Sequence, residues 1–145
     1  MRDEFYFPSK DGNTEIHTIE WKPEGEVKAV LQLSHGMVEY IKRYDEFAEF
    51  MCSHGYYVVG NDHLGHGKSV QSKSEYGFFN EKYGNACVIG DMHANIFTNI
   101  NQLSYEKENL ASIQMRCRLY GIPIRTTIYP VTSFKSVYMG KFCAK

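Results

Sequence analysis

Acidic residues are missing from the end of this 145-residue chain. All 17 Asp and Glu lie before residue 109, and beyond it come only Arg116, Arg118, Arg125, Lys135, Lys141 and Lys145 as charged groups. At the density of the first part, about six acids would be expected there. A strong net charge is also missing. The formal value of −1 gives no electrostatic footprint for nucleic acid, so none is expected as a partner. No apolar run reaches the ~20 residues that a membrane-spanning helix needs, so no such segment is expected. Met1-Arg2-Asp3-Glu4 is charged where a signal peptide would be apolar, so export is not expected and a cytoplasmic location is. Cys52, Cys87, Cys117 and Cys143 never fall at C-x-x-C spacing, which speaks for reduced thiols. Internal repeats and low-complexity linkers are absent too.

What is present suffices for a core. The chain is 43% hydrophobic and 14% aromatic, a globular composition. A domain of this length buries roughly two-thirds of its unfolded surface. Phe5-Tyr6-Phe7 and Glu15 to Trp21 read as two strands joined by the turn Asp11-Gly12-Asn13. The alternation of Ile19 and Trp21 describes the second as half-buried, although Ile16 breaks the phase. After a turn at Pro23-Glu24-Gly25-Glu26, Ala29-Val30-Leu31-Gln32-Leu33 reads as a strand covered on both faces. A helix is expected over residues 40–54, with Tyr44, Phe47, Ala48 and Met51 on one side and Gly55 as its C-terminal glycine. Tyr56 to Gly60 is another buried strand. This strand–helix–strand unit specifies an α/β fold with a parallel sheet and a right-handed crossover. A further helix is expected at about residues 85–105, with Val88, Met92, Ile96, Ile100 and Leu103 on one face. Beyond Glu108 the periodicity is poor, apart from an edge-strand reading of Ile122 to Tyr129 around Pro123.

Each of the two buried strands runs straight into a glycine-containing motif. The first is His35-Gly36-Met37-Val38-Glu39, and the second is Asp62-His63-Leu64-Gly65-His66-Gly67-Lys68-Ser69. A glycine at a strand exit lets the backbone turn sharply and present an N–H. Rigid backbone N–H groups are what best stabilise the negative charge that acyl transfer builds on a carbonyl oxygen. The second motif ends in Gly67-Lys68-Ser69, like a phosphate-binding loop, but the position five residues before Gly67 holds Asp62 rather than glycine. An acid there would repel phosphate. Asp62 is instead expected to hydrogen-bond the turn's own backbone, with Gly65 and Gly67 at positive φ. His63, His66 and His93, with Cys52 and Cys87, are the conceivable metal ligands, but His63-x-x-His66 lies in a loop without the helical H-E-x-x-H context or a paired cysteine knuckle. The histidines read as satisfied, and neither a metal nor a cofactor is expected.

In these motifs the chain resembles the monoacylglycerol lipase and lysophospholipase branch of the α/β-hydrolases. His35-Gly36-Met37, Glu39 and Arg43-Tyr44 are in register with that branch, and Asp62 to Ser69 fits its D-x-x-G-H-G-x-S loop. Gly77-Phe78 and Asp91-Met92-His93 look like the segment that precedes the nucleophile in those enzymes. The resemblance implies the N-terminal part of an α/β-hydrolase sheet over residues 1–108. It also implies Met37 as the donor of an oxyanion-hole N–H, supported by His35, Gly36, Glu39 and Arg43. Asp62, Gly65, His66, Gly67 and Ser69 would be structural parts of the adjoining loop. The implied reaction is hydrolysis of a small lipid ester, a monoacylglycerol or a lysophospholipid.

The resemblance stops near Glu108. Family members continue with a strand, a G-x-S-x-G elbow, a cap, and a downstream Asp and His, none of which is expected from the residues after Glu108. No serine here has glycine at both −2 and +2; Ser69 comes nearest, with Gly67 before it but Gln71 after it. No histidine qualifies as the catalytic base, which in this fold follows the nucleophile. Residues 109–145 are therefore expected to be an atypical basic tail, a frameshifted, misspliced or truncated end, and the chain an inactive fragment. The alternatives are a non-catalytic interaction protein with a basic tail, or a hydrolase half completed by another chain. The sequence sets no oligomeric state.

Overall fold

The computed structural model describes residues 1–103 and 110–114. Strands β1 (Arg2–Pro8), β2 (Glu15–Trp21), β3 (Ala29–Ser34), β4 (Tyr56–Asn61) and β5 (Leu110–Gln114) form one sheet in the order β1-β2-β4-β3-β5. β1 and β2 make an antiparallel hairpin, and β2 also runs antiparallel to β4. β3 is parallel to both β4 and β5. Helices α1 (Asp45–Ser53) and α2 (Gly84–Leu103) complete the regular structure, with short 3₁₀ turns at Ile41–Tyr44 and Lys73–Glu75. No helix among the described residues is long and apolar enough to cross a membrane.

The two helices serve opposite faces of the sheet. Leu31, Leu33 and Val58 project to one face and pack with Ile19, Trp21, Ile41, Tyr44 and Ala48, the last from α1. Val30, Tyr57 and Val59 project to the other. On that second face Gln32 Nε2 donates to the Met92 carbonyl of α2 at 2.7 Å, and Asn95 Nδ2 to Asn61 Oδ1 at 3.1 Å. Asp91 on α2 accepts from Ser9 Oγ at 2.7 Å and from the Lys10 amide at 2.6 Å, tying the helix to the hairpin turn. Burying each large aliphatic side chain in these layers contributes about 1.5–3 kcal/mol, so strands covered on both faces carry much of the stability.

Three expectations change. β2 is buried from Ile16 through Trp21 rather than on alternate residues, because it sits between β1 and β4 and both its faces are covered. Its polar residues His17, Thr18 and Glu20 are buried with it. The helix expected over residues 40–54 is divided: a 3₁₀ turn comes first and the α-helix begins at Asp45. The turn is tied down from outside by the Asp62 carboxylate, which accepts the Ile41 amide proton at 2.7 Å. Gly55 does close that helix, at φ +87° with its amide on the Cys52 carbonyl. Finally, a strand does follow residue 108. β5 runs beside β3 from Val30↔Leu110 to Ser34↔Gln114, extending the parallel sheet past the point where periodicity fades. A five-residue strand is too short to declare itself by alternation, and pairing with β3 defines it. The strand expected at Ile122 to Tyr129 lies outside the described residues.

Candidate active site

The two glycine motifs meet at the C-terminal ends of β3 and β4, and Asp62 is the hub. One carboxylate oxygen accepts from His17 Nδ1 at 2.7 Å and from the Lys68 amide at 2.9 Å, while the other takes the Ile41 amide. Burial alone would push this carboxyl up, but the His17 ring and the two amides outweigh it and hold the group below the usual aspartate range. The loop curls so closely that a Cβ on Gly67 (φ +49°) would lie 2.2 Å from Asp62 Cγ, and one on Gly65 (φ +75°) 2.2 Å from the Phe78 carbonyl oxygen. Only glycine fits either place. The amide a phosphate would need is already committed to a carboxylate. Ser69 is fully buried, accepting the His17 amide and donating to the Asp62 carbonyl, both at 2.9 Å. It joins β2 to the loop.

His17 was not legible as a site residue. It is 1% exposed, and its other ring nitrogen lies 2.9 Å from Glu4 of β1. Glu4 in turn contacts Lys68 Nζ at 2.6 Å and Arg2 at 2.9 Å. Hydrogen bonds from Lys68 and His17 together hold the Glu4 carboxyl down at about 2. A chain of polar contacts thus runs from the sheet edge through β2 to Asp62. Nothing in the strand pattern marks His17, because its two carboxylate partners lie 13 and 45 positions away.

The turn after β3 is braced on both sides of Met37. Glu39 Oε2 accepts the Gly36 amide at 2.9 Å and the Tyr44 hydroxyl at 2.5 Å, and the Glu39 amide closes back on the Gly36 carbonyl at 3.2 Å. Arg43, expected as support, is exposed and 4.0 Å from Glu39. The close partner is its neighbour Tyr44. His35 Nδ1 donates to the Gly36 carbonyl at 2.8 Å, and its Nε2 accepts the His63 amide at 2.9 Å. Burial shifts His35 down, leaving it neutral with the proton on Nδ1. Both His66 ring nitrogens face carbonyl oxygens, Nδ1 that of Leu64 at 3.1 Å and Nε2 that of Met37 at 2.6 Å, and the shorter contact marks Nε2 as the donor. His63 is pushed to about 3 by burial and by the neighbouring His35 and His66. Its Nε2–H is shared by Ser34 Oγ at 3.0 Å and the His35 carbonyl at 3.2 Å, and its Nδ1 is buried with no partner among the described residues. The Met37 amide, like those of Val38 and Tyr40, donates to nothing among the described residues, but it alone lies between carbonyls held by ring nitrogens, and the Met37 side chain is 75% exposed. Beside it opens a cavity of about 570 Å³, reached from within by His17 and Asp62 and bordered by Met37, Val38, Tyr40 and Tyr76.

A mixed sheet in this strand order, with helices on both faces and its loops gathered at the ends of β3 and β4, is the N-terminal portion of an α/β-hydrolase. A solved carboxyl esterase from Bacillus coagulans superposes with a TM-score of 0.66 at 22% identity, over 78% of this chain and 35% of that one. The family model for serine aminopeptidase, S33, matches residues 25–110, and the chain belongs to that family. A monoglyceride lipase homolog of Monkeypox virus is 46% identical over 61 residues, 42% of this chain and 22% of that protein. Protein K6 of Vaccinia virus is 40% identical over 73 residues, half of this chain and 90% of that protein. The chain therefore spans about a fifth of the Monkeypox virus relative and about a third of the esterase, but nearly all of protein K6.

Proposed function

We propose that this chain carries the oxyanion-binding half of a carboxylic ester hydrolase, with Met37 as one of the two N–H donors. The observation that carries this is the Met37 amide itself, unpartnered among the described residues while Gly36 before it and its own carbonyl after it are held. A donor so fixed needs no reorganisation when charge develops on a substrate oxygen. The kinship with a monoglyceride lipase homolog supports a monoacylglycerol or lysophospholipid as the ester, and the exposed Met37, Val38, Tyr40 and Tyr76 offer apolar surface to an acyl chain. Acyl transfer also needs an activated serine with a base in reach. Ser69 is locked in the loop, and Ser34 is 2% exposed on a histidine whose Nδ1 meets no acid among the described residues. In this reading the 145 residues hold the electrostatic half of the site and no nucleophile. A fluorophosphonate probe should then label no serine of the chain. Labelling abolished by changing a single serine would overturn the reading.

The second reading, a non-catalytic interaction protein, draws on protein K6, a relative that 73 aligned residues nearly span. Under it, the exposed residues beside Met37 would contact a partner rather than an acyl chain.

A further inference from the structure

The Met37 N–H and the Gly36 carbonyl belong to one planar trans peptide, so they point in opposite directions. Whatever fixes the Gly36 carbonyl therefore aims the Met37 N–H. Two donors do so, the His35 Nδ1–H at 2.8 Å and the Glu39 amide at 3.2 Å. On the other side of the Met37 Cα, the carbonyl of the next peptide is held by His66 Nε2 at 2.6 Å. Each imidazole is itself fixed. His35 accepts the His63 amide on its remaining nitrogen; His66 has its Nδ1 3.1 Å from the Leu64 carbonyl and stacks on Phe79 with ring centroids 5.6 Å apart and planes 25° from parallel.

We propose that His35 and His66 are positioning residues that jointly set the direction of the Met37 N–H, one through each of its flanking peptides. Resting on the oxyanion reading above, this gives the glycine loop a task at the site, since both His66 and the His63 amide that orients His35 come from it. Hydrogen bonding at the Gly36 carbonyl also polarises its peptide, making the Met37 N–H a stronger donor. The two rings act through different nitrogens, Nδ1 in His35 and Nε2 in His66, and this crossed arrangement separates a donor's role from mere filling of space.

The test uses the full ¹⁵N-labelled chain and four amide-bearing variants. His35→Asn keeps a donor near the Nδ1 position, and His35→Gln moves it away; His66→Gln keeps one near the Nε2 position, and His66→Asn withdraws it. In the unmodified chain, His35→Asn and His66→Gln, the Met37 N–H should have an order parameter near ~0.85, as rigid backbone does. In His35→Gln and His66→Asn it should fall below ~0.6, the range of mobile segments. Equal values in all four variants, whether kept or lost, would overturn the proposal. Acetate titration of the unmodified chain probes the oxyanion reading separately. An acetate-dependent shift of the Met37 amide is expected, weakened severalfold in His35→Gln and His66→Asn. With no shift in the unmodified chain the oxyanion reading falls, while the order parameters still decide whether the histidines aim the amide.

Discussion

At the scale of single residues, the turn after β3 shows how one backbone group acquires a distinct status. Gly36 gives its amide to Glu39 and its carbonyl to His35, Glu39 takes Tyr44 as a second donor, and Met37 gives its carbonyl to His66. Met37 matters here through its backbone, so its side chain should be replaceable. Joined to the remainder of an active hydrolase that carries an elbow, Asp and His, the chain should tolerate Met37→Ala. Met37→Pro removes the N–H and should lower turnover by ~10²–10³, since one such donor is worth about 2.7–4 kcal/mol. Steady-state kinetics should show turnover falling more than substrate binding, because the donor acts as charge develops. Near-normal turnover in a folded Met37→Pro chimera would remove Met37 from the role. His35-Gly36-Met37 and Asp62 to Ser69 were legible in the sequence because glycine spacing at a strand exit is a local signal. Tyr44 and His17 were not, since their importance comes from partners that only folding supplies.

At the scale of elements, the hairpin β1–β2 and the glycine loop are held together by Glu4, His17 and Asp62. Both carboxyls titrate below their ordinary values in the fold, which are 4.5 for Glu4 and 3.8 for Asp62. The unfolded chain therefore binds more protons in this range, and stability falls as pH falls. The contribution is fully present above the ordinary values and is lost as pH drops toward about 2, where Glu4 takes up its proton in the fold. Asp91 works in the opposite sense, since burial raises its carboxyl and favours the protonated, folded form at low pH. Urea unfolding at steps from about pH 5 to about pH 2 should show a net loss. In Glu4→Gln part of that slope should vanish, and an unchanged slope would show that the Glu4–His17 contact carries no linked stability. Lys68 and His17 both lower the Glu4 carboxyl; the exposed Lys68 is screened by solvent, as surface ion pairs are, so its share of the stability is the smaller.

At the scale of the whole molecule, β5 makes β3 an interior strand. With it in place, both edges of Val30 to Leu33 are paired, to β4 on one side and to β5 on the other. Removing residues 110–145 would uncover a strand whose residues Val30 to Ser34 are buried in the fold, a ready template for pairing between chains. The shortened form should associate at concentrations where the full chain does not, which light scattering over a dilution series would record. Equal behaviour of the two forms would mean that β5 does not protect that edge.

The sequence by itself determined the class. Apolar runs bounded by glycine motifs identified β3 and β4, their joining helix made the sheet parallel, and the order of the two motifs brought out the kinship with lipid ester hydrolases. These are short-range patterns, written within a dozen residues and readable without a fold. Tertiary structure decided the rest. Burial on both faces of β2 followed from having neighbours on both sides, the early break of the helix at Asp45 followed from a carboxylate 21 residues from Ile41, and β5 exists as a strand through its pairing with β3. The same holds for the site. A histidine in a loop and a glycine after a strand are ordinary until folding sets a ring nitrogen of His66 2.6 Å from the Met37 carbonyl. Hydrogen-bond direction depends on where distant segments meet, and local sequence encodes the donors without encoding that meeting.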